Sequence, residues 1–103
     1  MFTAGACPLD RDGVVVGPGD VGAQARQAVA NLAEALAAAG AGLADVLKTT
    51  VFVASSDQRD LVTVWDVVRA AFGEHDAPST LLGVAALGYT GQLVEIEAVA
   101  VAP

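Results

Sequence analysis

The chain has 103 residues with 12 acidic and 5 basic side chains, a formal net charge of −7, and a length that predicts one domain over residues 1–103. At 54% hydrophobic and 17% charged it is too apolar for disorder, and its negative charge argues against a sequence-independent grip on nucleic-acid phosphates. No uninterrupted apolar run reaches the roughly 18 residues a membrane helix needs. Mean hydropathy is +0.56, more apolar than the core of so small a domain requires, so part of its surface should be covered by something else.

The opening Met1-Phe2-Thr3-Ala4-Gly5-Ala6 has no basic region ahead of an apolar core, and the single Cys7 cannot form an internal disulfide. Both features predict a reducing, cytoplasmic setting. Residues 2–7 and 14–16 read as short extended pieces around a turn at Asp10-Arg11-Asp12-Gly13, an opening hairpin. Gly17-Pro18-Gly19 breaks the chain, and Asp20 is placed to cap a helix. Val21, Ala25, Ala28, Val29, Leu32, Ala35, Leu36 and Ala39 recur at helical spacing, with Gln24, Gln27, Asn31 and Glu34 on other faces and Gly40 as the stop.

Val46-Leu47-Lys48-Thr49-Thr50-Val51-Phe52-Val53 is β-branched and aromatic enough to read as a strand. Ser55-Ser56-Asp57 offers caps for a second helix, in which Leu61, Val64, Trp65, Val68, Ala71 and Phe72 return at spacings of three and four until Gly73. A connection through His75 and Pro78 leads to a strand over Ser79 to Leu87, and a turn at Gly88 to Gln92 leads to a last strand from Leu93 to about Val101. The order β-β-α-β-α-β-β, with right-handed crossovers, predicts an α+β two-layer sandwich with both helices on one face of a mixed sheet.

In the last strand, Val94, Ile96, Ala98 and Ala100 would face the helices, leaving Leu93, Glu95, Glu97, Val99 and Val101 opposite. In the middle strand Leu47, Thr49, Val51 and Val53 oppose Val46, Lys48, Thr50 and Phe52. Both faces carry large apolar groups, whereas a sheet face open to water should be polar. The second face is therefore expected to be covered by other copies of the same chain.

Common catalytic constellations do not occur: no Cys-x-x-Cys, His-Glu-x-x-His, Walker loop or Gly-x-Gly-x-x-Gly is present. His75 reads as a solvated loop histidine, Cys7 as a buried inert thiol, and Trp65 as core packing. Glu95 and Glu97 carry more information because they share the face assigned to an interface, where an isolated carboxylate is costly. They either pair across the interface, with Lys48 or a backbone amide, or line a wet cleft and hold a water. The residues alone leave both roles open and do not rank the two.

Gly5 with Pro8, Gln24-Ala25-Arg26-Gln27, Asn31-Leu32, Gly40 with Leu43 and Asp45-Val46, Lys48-Thr49-Thr50-Val51-Phe52-Val53, and Val94-Glu95-Ile96-Glu97-Ala98-Val99-Ala100 occur in this order. The series closely resembles the RidA/YjgF family, also labelled endoribonuclease L-PSP. The resemblance implies a chorismate-mutase-like fold assembled as a homotrimer, with small-molecule clefts between subunits and no metal or cofactor. In the best-known branch, those clefts hydrolyse reactive enamines and imines such as 2-aminoacrylate. There an arginine of a Pro-x-Arg-Ser/Thr motif holds the substrate carboxylate, and the first glutamate of a final Val-Glu-Ile motif positions water.

On this resemblance Glu95 matches the glutamate, and Gly5 matches the glycine of a Ser-Gly-Gln segment that lines the cleft, with Ala6 in place of the glutamine. The arginine is missing. The stretch reads Ala77-Pro78-Ser79-Thr80-Leu81, so Ser79 or Thr80, depending on a one-residue shift, stands at its place among the ligand-binding positions. Trp65 stands where the family often has asparagine, and the family's first strand and cleft tyrosine have no counterpart before Met1. A hydroxyl in place of a guanidinium forfeits a charge-assisted hydrogen bond worth about 1.5–3 kcal/mol. With no substituted base nearby in sequence, a small neutral carbonyl, amide or imine compound is expected rather than an anion. The expected function is that of a hydrolase or deaminase of a small reactive imine or enamine; a metabolite-binding or partner-docking trimer without turnover is the alternative.

Overall fold

A computed structural model describes residues 1–102. Asp20 accepts a hydrogen bond from the Ala23 amide and starts helix α1 (Val21–Ala38), whose apolar stripe buries Ala25, Ala28, Leu32 and Leu36 completely. Strand β1 (Val46–Val53) follows a short 3-10 turn at Leu43–Asp45. Asp57 accepts from the Arg59 amide to cap helix α2 (Gln58–Phe72), which ends at Gly73 with a φ of 62° that a side chain would disfavour. Strands β2 (Ser79–Gly83) and β3 (Val94–Ala100) complete the sheet.

The strand order is β2-β1-β3, with β1 parallel to β2 and antiparallel to β3. Both helices pack on one face, where Val51, Val53, Val64, Val68, Val94, Ile96, Ala98 and Ala100 close the core. The two-layer α+β sandwich with a mixed sheet is therefore as the sequence predicts. Among the described residues no helix is long and apolar enough to cross a membrane.

The opening segment departs from the expected hairpin. Residues 2–6 pair instead with the free edge of β3, through bridges Phe2 to Val99 and Ala6 to Ile96, and only Leu9 and Val15 close the turn at Asp10–Gly13. The backbone amides of that edge would otherwise be unpaired, which is why the chain start lies along it. The strand expected to reach Leu87 ends at Gly83, because Val53 is the last β1 residue available to pair with it.

A bulge between Val46 and Lys48 reverses the expected alternation at the start of β1. Val46 is buried and Leu47 is 55% exposed, the opposite of a regular strand through Leu47, Thr49 and Val51. The polar side chains of α1 are not all on its outer face either. Gln24 is fully buried, donating to the Gly17 and Gly91 carbonyls and accepting from the Leu93 amide at 2.7 Å. Asn31 donates to the carbonyls of Cys7 and Leu9 and accepts from Gln27. These amides anchor the opening segment and the turn before β3, substituting for secondary structure those segments lack.

The sheet face away from the helices carries Phe52 and Val99, half-buried, with Phe2 84%, Leu82 43% and Val101 51% exposed. Lys48 lies on this face and donates to the Thr80 hydroxyl and the Thr49 carbonyl within the chain.

Candidate functional site

Two clusters have the makings of a site, and the sheet separates them. The first surrounds Glu95. Because Ala6 pairs with Ile96 and both side chains face the core, strand parity turns Gly5 and Cys7 to the opposite face, beside Glu95. A Cβ on Gly5 would overlap the Glu95 carboxylate, so only glycine lets that carboxylate lie against the backbone. Glu95 Oε1 accepts from Gln92 Nε2 at 3.1 Å and from Cys7 Sγ at 3.4 Å. Gln92 is itself buried, donating to the Val94 carbonyl and accepting from the Tyr89 amide, so one oxygen of Glu95 is held by an immobile donor.

This arrangement ranks the two glutamates, since Glu95 is half-buried and held while Glu97 is exposed. Cys7 is half-buried beside Glu95 rather than enclosed in the core. Burial first, then the hydrogen bond and charge of Glu95, raise its thiol above the ordinary range, so it is a neutral donor to the carboxylate at pH 7. Ala6 has both backbone groups bonded to Ile96 and its methyl packed on the core, so it presents nothing to a ligand beside Glu95.

The second cluster is a cavity of about 240 Å³ between the end of α2 and the start of β2, on the helix side of the sheet. Its walls include Trp65, Phe72, Arg69, His75, Asp76 and Ser79. Of the two hydroxyl residues considered for the arginine's place, Ser79 faces this cavity, while Thr80 turns to the other face and accepts from Lys48. The Ser79 hydroxyl is committed to Thr49 and to the Ala77 carbonyl at 3.0 Å. Trp65 packs against the core, as the sequence predicts, but is only half-buried, with part of the indole on the cavity wall. His75 is half-buried and held rather than free in the loop: its Nε2 is 2.7 Å from the Val46 carbonyl and its ring lies 6.3 Å from that of Phe72.

Sequence reasoning missed Gln92, the contact of Cys7 with Glu95, and Arg69. A base does stand near Ser79, supplied by the last turn of α2. The periodicity that put Trp65 and Phe72 on one stripe of α2 puts Arg69, four residues after Trp65, beside them and was the available signal.

The fold and the site define a small two-layer α+β protein with a held carboxylate on its uncovered sheet face. The endoribonuclease L-PSP family model matches residues 1–102, and the chain belongs to this family, the Rid/YjgF proteins. It is 40% identical over 105 residues to the 2-iminobutanoate/2-iminopropanoate deaminase of Escherichia coli, covering 98% of this chain and 78% of that one. It is 38% identical to a RutC family protein of Synechocystis, over 100% of this chain and 78% of the relative. A crystal structure of the Rid family protein YyfB from Yersinia pestis superposes with a TM-score of 0.90 at 35% identity, over 97% of this chain and 76% of that one.

Proposed function

We propose that this protein hydrolyses a small imine, formed directly or by tautomerisation of an enamine, with Glu95 holding the attacking water. The observation that carries the reading is the fixation of the Glu95 carboxylate by Gln92 and Cys7 against Gly5, in a chain 40% identical to a relative named as a 2-iminobutanoate/2-iminopropanoate deaminase. A carboxylate whose one oxygen is saturated by two donors keeps lone pairs on the other for a water proton. Water adds to the imine carbon as Glu95 takes one of its protons and passes it to the imine nitrogen, giving a neutral carbinolamine. Glu95 then takes the hydroxyl proton and delivers it to the amino nitrogen as the C–N bond breaks and the carbonyl forms, so ammonia leaves, one water is consumed per ammonia released and the carboxylate is regenerated.

Glu95 and the α2–β2 cavity lie on opposite faces and opposite edges of one chain's sheet, so one molecule cannot touch both within a monomer. A head-to-tail ring, in which the Glu95 face of one copy meets the cavity edge of the next, brings them into one cleft. The apolar side chains Phe2, Phe52, Leu82, Val99 and Val101 on the uncovered face support such a closed assembly, read as a homotrimer with a small-molecule ligand in each cleft. Assay with 2-aminoacrylate and 2-iminobutanoate generated in situ tests the function. Ammonia release above the blank, lost in Glu95→Gln with the assembly unchanged, is expected; release equal to the blank for both compounds removes the reading.

The saturated hydroxyl of Ser79 favours one competing reading, a trimer that binds its metabolite without turnover. Retention of an imine intact in the cleft, with no ammonia over hours, would distinguish it.

A further inference from the structure

Two buried glutamines, Gln24 with no exposed surface and Gln92 with 3%, are linked in series to Glu95. Gln24, on α1, donates to the Gly91 carbonyl at 3.0 Å and to the Gly17 carbonyl, and accepts from the Leu93 amide at 2.7 Å. It therefore grips the backbone on both sides of Gln92. Gln92 accepts from the Tyr89 amide and donates to the Val94 carbonyl and to Glu95 Oε1, each at 3.1 Å. Both hydrogens of each side-chain amide have acceptors and each amide oxygen has a donor, so a flipped amide would set oxygen against oxygen twice. The direction of every bond in the series is fixed.

The connection from β2 to β3 runs over residues 84–93 with no helix or strand of its own, and Gln92 stands near its end. Such a stretch moves unless something ties it down. Gln24 ties it to a helix whose inner stripe is buried. An amide N–H on a carboxylate is a firmer hold than a thiol, a weak donor, so Gln92 dominates the grip on Oε1 and Cys7 follows it. Oε2 lies nearest Gly5, so a carboxylate released from Gln92 is free to rotate and carry its unheld oxygen off that line. We propose that Gln24 and Gln92 are positioning residues for the hydrolysis: Gln24 locks the connection on α1, and the locked Gln92 keeps Glu95 in its working orientation. The inference deepens the function proposed above and rests on it for the reaction that Glu95 performs. Enclosed as they are, the two glutamines act only through Glu95, and Gln24 does so from another layer of the fold.

The test uses Cys7 as a reporter that needs no turnover. Beyond burial, Glu95 raises the thiol while Gln92 lowers it, so losing the glutamine and losing the carboxylate act in opposite directions. In Gln92→Met and Gln24→Met, which keep the side-chain bulk, a carboxylate that leaves Cys7 lets the pH midpoint of iodoacetamide labelling fall toward that of Glu95→Gln. The fall is expected in both, measured where circular dichroism shows the variants folded. An unchanged or higher midpoint in Gln92→Met means that the carboxylate has stayed, and overturns the proposal; an unchanged one in Gln24→Met overturns the part given to Gln24. Gln92→Glu keeps the acceptor for Tyr89 and supplies a donor only while the new carboxyl and Glu95 share one proton. Its ammonia release from 2-iminobutanoate should persist at acid pH and then drop about tenfold more than that of the wild type as pH rises, while Gln92→Met stays about tenfold low throughout with KM within about threefold of wild type. A wild-type pH profile in Gln92→Glu overturns the proposal. The expected labelling shifts in a protein that releases no ammonia would uphold the grip on Glu95 while removing the hydrolytic reading. Ammonia release with unmoved midpoints would do the reverse.

Discussion

Cys7 and Glu95 are 88 positions apart in sequence, yet the thiol Sγ lies 3.4 Å from the carboxylate Oε1. Burial, and then the carboxylate itself, hold the thiol above the ordinary range. Alkylation by iodoacetamide, which needs the thiolate, should therefore be slow at pH 7.5 and rise only above the free-thiol value of about 8.5. Glu95→Gln removes a negative charge beside the sulfur, so the midpoint should fall and labelling at pH 8 should quicken by mass spectrometry. An unchanged midpoint would mean that the thiol does not sense Glu95. The same raised value means that this thiol supports the fold below its unfolded pKa, and that the support declines as pH climbs through the folded one.

Gly5→Ala introduces a methyl where the Glu95 carboxylate lies. Either the carboxylate or the backbone of the opening segment must move, at about 1–3 kcal/mol. If Glu95 is the water-holding group, turnover should fall by more than the stability loss explains, with the variant still folded by circular dichroism. Full activity would show that the close packing of Gly5 on the carboxylate is immaterial.

Gln24→Leu keeps the side-chain bulk but orphans the Leu93 amide and the Gly17 and Gly91 carbonyls. An unsatisfied buried group costs about 1–3 kcal/mol, so urea denaturation should shift by at least that. The turn that carries Gln92 should loosen with it, seen as faster hydrogen exchange at Gln92 and Leu93.

Leu82→Asp puts a charge on the uncovered sheet face without touching the core. The wild-type chain is expected to sediment as a trimer at micromolar concentration and the variant as smaller species, with ammonia release lost alongside. A wild-type monomer would remove the intersubunit cleft.

Much of this architecture is visible in local sequence. Asp20 and Asp57 mark both helix starts, three- and four-residue spacing marks their buried stripes, and alternation in Val94–Ala100 separates Glu95 from the core face. Those signals depend on neighbours a few residues apart. The bulge at Val46/Lys48, the burial of Gln24, and the route of residues 2–6 along β3 depend on partners far along the chain, and no local pattern encodes them.

The site divides the same way. The sequence by itself determined an acidic, unusually apolar chain, one glutamate pair on an uncovered sheet face, and the absence of a base within the Ala77–Leu81 stretch. Only the tertiary structure decided between Glu95 and Glu97, brought Cys7 and Gln92 to the former, and carried Arg69 round to the cavity beside Ser79. The physical reason is that hydrogen-bond donors act over about 3 Å of space, while strand pairing and helix packing alone set which distant residues come within that reach.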